Sequence, residues 1–195
     1  MYSEGSFYGI VPEYSAYYRI GELRDGEVIL EDHLTNEERY VFVVTYANNM
    51  VYIRVLNVYR MDDGNLAKHM EEFVRGPNEH AYRAVVRVPI GVDLLVKNDT
   101  NFVRVSNMMD SITKFEVKEE YKLCITIGVV RYGDHIVDDN FEGVIKKYII
   151  LFESTRPVRL NIITSMSDMT RIKSSYILEG DDGPFILVSK TIESV

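Results

Sequence analysis

Polar and apolar positions alternate with a period of two along most of this chain, the spacing that sends successive side chains to opposite faces of a strand. Tyr40 to Tyr46 and Val51 to Tyr59 are rich in β-branched and aromatic residues and flank the turn pair Asn48-Asn49, so they read as the central strands of a hairpin. Before them, Arg24-Asp25-Gly26-Glu27 lies between Tyr18-Arg19-Ile20 and Val28-Ile29-Leu30, and Asp-Gly supplies the positive φ angles of a tight hairpin turn. Glu31 to Arg39 is polar and reads as a connection. From Val92 onward the pattern is strand, turn, strand. The expected strands are Val92 to Val96, Phe102 to Val105, Ile112 to Val117, Tyr121 to Arg131, Val144 to Phe152, Val158 to Thr164, Met169 to Leu178 and Phe185 to Ile192. Asn98-Asp99, Gly133-Asp134, Asp138-Asp139-Asn140 and Asp181-Asp182-Gly183-Pro184 punctuate them.

One segment follows a different period. Leu66, Met70, Phe73 and Val74 fall at i, i+4, i+7 and i+8, behind Asp62-Asp63-Gly64-Asn65 as a cap and ahead of Gly76-Pro77 as a stop. This spacing predicts an amphipathic helix with Lys68, Glu71, Glu72 and Arg75 facing water. Asn78 opens a second pattern through Ala81, Tyr82, Val85 and Val86 that reads as a helix or as a strand ending before Pro89. The expected fold is therefore mainly β, all-β or α+β: an antiparallel sandwich or barrel with one or two short helices between residues 65 and 88.

The front of the chain follows no period at all. Tyr2, Phe7, Tyr8, Tyr14, Tyr17 and Tyr18 are interrupted by Gly5, Gly9 and Pro12, which predicts an extended aromatic arm over residues 1–18 preceding a single β-rich domain over 19–195. These six rings form the candidate interface, packing either on their own domain or on a neighbour.

Composition narrows the picture. With 46% apolar and 27% charged residues the chain can close a core unaided, and no run of ~18 apolar residues exists to span a bilayer as a helix. Met1 to Val11 contains Glu4 and no base, unlike a secretory leader, and Cys124 is the only cysteine, so a cytoplasmic location without disulfides is expected. Cys124 reads as a small buried apolar side chain. The sequon Asn98-Asp99-Thr100 matters only in a secreted protein. Of the net charge of -8, residues 1–40 carry nine acids against three bases. A negative surface repels phosphate, so nucleic acid is disfavoured unless a local patch overcomes the field; Lys146-Lys147 and the group Arg156, Arg159, Arg171 and Lys173 are the candidates for one.

Chemistry is sparse. There is no phosphate-cradling loop and no Gly-x-Ser-x-Gly elbow, and no catalytic residue is assigned. Of the four histidines, His69 and His80 lie beside acids without an assignable nucleophile. His135 stands with Asp134, Asp138 and Asp139 as the candidate metal site, and His33 with Asp32 is the only remote partner of similar type. Aspartate-rich turns are the commoner reason for such a cluster, and no metal or cofactor is expected. Asp62-Asp63-Gly64-Asn65 lacks the alternating oxygens of a calcium loop.

In the order of its elements only, extended front, strands, capped helix, further strands, the chain resembles rhabdovirus matrix proteins, which implies an assembly-forming viral role. Those proteins tend to be basic with a proline-tyrosine motif in the arm, whereas this arm is acidic and offers Val11-Pro12-Glu13-Tyr14. The expected function is a non-enzymatic structural or self-associating protein, a homo-oligomer open to other protein partners. A small-ligand-binding β-barrel or sandwich is the alternative, and an enzyme whose groups are assembled from distant strands is a further one.

Overall fold

The period-two segments pair almost wherever turn residues allow them to, and the result is a chain that is 60% strand and 3% helix, mainly β as expected. The computed structural model describes residues 2–31, 37–180 and 183–194. It divides into two compact units, residues 1–85 and 86–195.

The N-terminal unit contains β1 (Tyr2–Tyr8), β2 (Leu23–Asp25), β3 (Val28–Glu31), β4 (Glu38–Tyr46), β5 (Val51–Arg60), β6 (Leu66–Arg75) and β7 (Arg83–Ala84). Five of them form one antiparallel sheet in the order β1-β4-β5-β6-β7, and β2-β3 is the separate hairpin foreseen at Asp25-Gly26, with Gly26 at φ +61. Val41, Val51, Ile53 and Val55 are buried on one face of the sheet, where Leu23 and Leu30 of the hairpin pack on them.

Several expectations are corrected here. The helix over Leu66 to Val74 is the strand β6, paired with β5 along all ten residues from Val51↔Arg75 to Arg60↔Leu66. Its apolar residues fit either period, and ten cross-strand partners from the most β-prone segment of the chain outweigh a local helical stripe. Asp63 serves the hairpin turn instead of a helix cap: its carboxylate accepts from the backbone and side-chain nitrogens of Asn65 at 2.9 Å each, which holds the carboxyl below its ordinary range. Glu72, expected in water, is buried. The second helical pattern is a turn, closed by Gly76 N–H donating to Glu79 Oε2 at 2.7 Å, followed by the short β7. The Glu31 to Arg39 connection is shorter than expected, because Glu38 and Arg39 already belong to β4. With a strand in place of the capped helix at 66–74, the order of elements that resembled matrix proteins is lost.

The C-terminal unit contains β8 (Val88–Asp93), β9 (Val103–Met109), β10 (Ile112–Val117), β11 (Ile125–Tyr132), β12 (His135–Asp138), β13 (Val144–Phe152), β14 (Arg159–Met166), β15 (Thr170–Leu178) and β16 (Phe185–Ser194). A six-stranded antiparallel sheet runs β16-β15-β14-β13-β10-β9, and a three-stranded sheet runs β12-β11-β8. Both sheets feed one core, with Phe115, Ile149, Leu151 and Leu160 from the larger and Ile127 and Val130 from the smaller fully buried. The β8-β11 pair is parallel, a departure from the all-antiparallel reading. The β15-β16 hairpin forms as expected, Leu178 opposite Phe185, and Phe185 is buried with its ring edge-on to Tyr132 at 5.2 Å. Its turn residues Asp181 and Asp182 lie outside the described residues.

Candidate interaction surface

The aromatic front is a strand. Residues 2–8 add to the sheet as β1, pairing Tyr8 with Val41, Phe7 with Phe42 and Ser6 with Val43, so β1 is an edge whose outer backbone groups are unpaired within the sheet. Strand alternation places Phe7 and Tyr40 on the same face, and their rings stack with centroids 6.0 Å apart. Gly9 permits this, since a Cβ there would lie 3.1 Å from the Tyr40 ring. Pro12–Tyr14 then forms one 3-10 turn in which Tyr17 and Tyr18 N–H both donate to Tyr14 O at 3.0 Å, bringing the Tyr14 and Tyr18 rings edge to face at 6.2 Å. Five of the six expected interface rings are thus close in sequence and open to solvent: Phe7 67%, Tyr8 54%, Tyr14 58%, Tyr17 81% and Tyr18 63% exposed. The Tyr2 side chain lies outside the described residues. Arg19 ties the end of this segment down, donating to the Glu37 backbone oxygen and to its carboxylate at 2.8 Å each. Arg19 and then Arg60 hold the Glu37 carboxyl below the usual range.

The sheet behind β1 carries polar groups that sequence reasoning missed. The Arg39 guanidinium is buried, donating through Nε to Asn57 Oδ1 at 2.6 Å and to the Gly21 carbonyl, while Asn57 Nδ2 donates to Glu71 Oε2 at 3.2 Å. On the opposite face, Tyr52 Oη donates to the buried Glu72, and Arg54 Nη2 donates to the same carboxylate oxygen at 3.3 Å. Desolvation, then the Glu72 charge, raises the Tyr52 phenol well above its ordinary range. The signal in the sequence was Arg39 falling directly opposite Asn57, with Glu71 diagonal to it, two residues beyond the Asn57 partner His69, which only pairing reveals.

Under the β2-β3 hairpin lies a cavity of about 470 Å3 with an apolar floor of Leu23, Leu30, Val41, Val51 and Ile53. At its rim Arg75 Nη1 and Tyr82 Oη both donate to Asp25 Oδ2 at 2.8 Å, and the Arg75 guanidinium lies 5.0 Å from the Tyr82 ring centroid. Desolvation and the hydrogen bond to Asp25 push the Tyr82 phenol up to about 12.

No protein-family model matches this chain, nor does any curated protein or solved structure.

The candidate metal residues do not converge. Asp138 faces inward and accepts from the Lys147 ammonium, whereas His135 and Asp134 are exposed. Among the described residues no group of three or more His, Cys, Asp or Glu is placed to share a cation. His33 and Asp32 lie outside the described residues. Cys124, expected to be buried, is exposed at the start of β11, its Sγ donating to Tyr121 O at 3.4 Å. The basic candidates separate too. Lys147 is buried and Lys146 exposed, because neighbours in a strand face opposite ways; Arg156 lies in the loop after β13 and donates to the Glu153 and Thr155 carbonyls.

Proposed function

We propose that this chain is a non-enzymatic, self-associating interaction protein that docks through its aromatic N-terminal edge. One observation carries the reading: an edge strand with no neighbour on its outer side among the described residues, and the turn after it, present five rings, each more than half exposed. An open edge is a template for strand addition, and exposed tyrosines supply contact area with a polar tip. Each ring buries roughly 150–250 Å2 when covered. Covering even ~400 Å2 of this surface contributes on the order of 10 kcal/mol before association costs of ~4–15 kcal/mol, so at the low end of those costs about 6 kcal/mol remains, an assembly in the range of tens of micromolar.

Light scattering over a dilution series tests it with Phe7→Ser, Tyr14→Ser and Tyr17→Ser combined, substitutions at exposed positions that leave the sheet intact. The oligomer is expected to dissociate at higher concentration than the wild type. A wild-type chain that stays monomeric at tens of micromolar, or a variant that associates as before, removes the proposal.

The cavity under the β2-β3 hairpin favours a second reading, a small-ligand binder. Its volume falls within the ~300–1,000 Å3 of ordinary ligand sites, and its apolar floor with a carboxylate at the rim suits an apolar molecule carrying a donor group. Val51→Phe, which fills the floor, is expected to abolish binding of an apolar dye. Unchanged dye binding would discard this reading.

A further inference from the structure

Charge on the outer face of the six-stranded sheet is segregated by sign. Strand alternation places Arg104, Lys114, Lys146, Arg159, Arg171 and Lys173 on that face, with only Glu116 and Glu193 as acids among them. Lys114 pairs with Glu116 at 2.8 Å; among the described residues the other five bases have no carboxylate within 4.0 Å. This is a chain with 30 acids and 22 bases, in which a merely solvated face is expected to mix signs.

The face also has an aromatic centre. The Tyr148 ring has Lys114 Nζ 5.3 Å and Lys146 Nζ 5.7 Å from its centroid, and Arg171 Nη2 donates to its hydroxyl at 3.1 Å. These groups surround a groove of about 520 Å3 whose floor includes Met108 and Ile150.

We propose that this face binds single-stranded nucleic acid, phosphates on the row of bases and a nucleobase against Tyr148. Strands lie ~4.8 Å apart, so the four steps from Arg104 on β9 to Lys173 on β15 span about 19 Å. A small anion engages only the central three bases and does not reach the outer ones. An extended polyanion neutralises the whole row. A duplex keeps its bases stacked inside, out of reach of a ring on an open sheet, whereas a single strand offers them. The net charge of -8 opposes approach at long range, but at physiological salt fields decay over ~8 Å, less than the width of the face. The average charge of the sequence disfavoured nucleic acid because it does not register which face each residue takes.

Fluorescence polarisation of the full chain with a labelled oligouridylate of about a dozen nucleotides, repeated at several salt concentrations, tests this. With some five phosphates neutralised, log K is expected to fall against log salt with a slope of about -3 to -4. Lys146→Gln and Arg171→Gln are each expected to flatten that slope by about 0.7, and Lys146→Arg to keep it. Tyr148→Leu is expected to weaken binding about tenfold at unchanged slope, which separates base stacking from charge. Equal affinity for polyglutamate of the same length overturns the assignment in favour of an acidic protein surface. Equal affinity for duplex of the same length, no binding at low salt, or slopes unmoved by the glutamine variants overturns it as well. Loss of self-association in Lys146→Gln/Arg171→Gln without any RNA binding gives the face to a second copy instead.

Discussion

The Lys147 ammonium is closed off from water inside the C-terminal unit and meets the Asp138 carboxylate, with the side chains 1% and 19% exposed. It also donates to the carbonyl oxygens of Gly128, at 3.2 Å, and Asn140, so a charge on β13 is tied to β11, β12 and the loop beyond. The two partners are not equivalent. Asp138→Ala strands a buried cation and is expected to cost about 3–5 kcal/mol in urea unfolding. Lys147→Met leaves a carboxylate that reaches solvent and fills the space with an apolar chain, so its cost is expected to be the smaller. The reverse order would show that the lysine, not the aspartate, is the indispensable member.

Asn57 joins two charges across β4, β5 and β6. Asn57→Leu keeps the volume, removes the acceptor of Arg39 and the donor to Glu71, and is expected to destabilise the N-terminal unit by about 2 kcal/mol. An unchanged urea midpoint would mean that the remaining partners of Arg39 suffice.

Alkaline pH addresses Tyr82 and Tyr52. An unfolded phenol ionises near ~10, whereas in the folded chain Tyr82 holds its proton to about 12 and Tyr52 is raised as well. The folded state therefore binds more protons between those values, and stability falls as pH rises through that window. Below about pH 10 both states are protonated and the contribution is fully present. Urea midpoints are expected to stay level from neutrality to about 10 and then to decline. Tyr82→Phe is expected to make the decline shallower.

At Gly128 the parallel β8-β11 pair comes unusually close, and a Cβ there would sit 2.7 Å from the Cβ of Pro89. Gly128→Ala is expected to cost about 1–3 kcal/mol by pushing β8 away. Because Gly128 O also accepts from Lys147, its effect is expected to be non-additive with Lys147→Met in a double-mutant cycle.

The strand pattern was legible wherever turn chemistry bracketed a β-branched run. Ile112–Val117 and Val144–Phe152 fall where the alternation put them, and Asp25-Gly26 and Asn48-Asn49 turn as their φ preferences require. Leu66–Arg75 was misread because four apolar residues fit a helical stripe while the information that decides, ten residues of β5 alongside, is non-local. The same limit hid Glu72, Arg39 and Asn57, whose burial depends on partners on neighbouring strands. Of the candidate interface, the sequence revealed the cluster of rings but not that residues 2–8 join a sheet. The basic face was half visible: Arg159, Arg171 and Lys173 stood out as a group, but Lys146 and Lys147 looked alike until alternation sent one outward and one into the core.

β16 is attached to its sheet on unequal terms. Phe185 is its one buried residue, and the nine that follow are exposed and paired with β15. A strand with so little side-chain burial is the first to peel, and its departure uncovers the full edge of β15 in a register that any other copy of residues 185–194 satisfies equally well. Residues 185–194 of a second molecule would fit that vacancy, so exchange of this strand is expected to appear as a concentration-dependent dimer in size-exclusion chromatography.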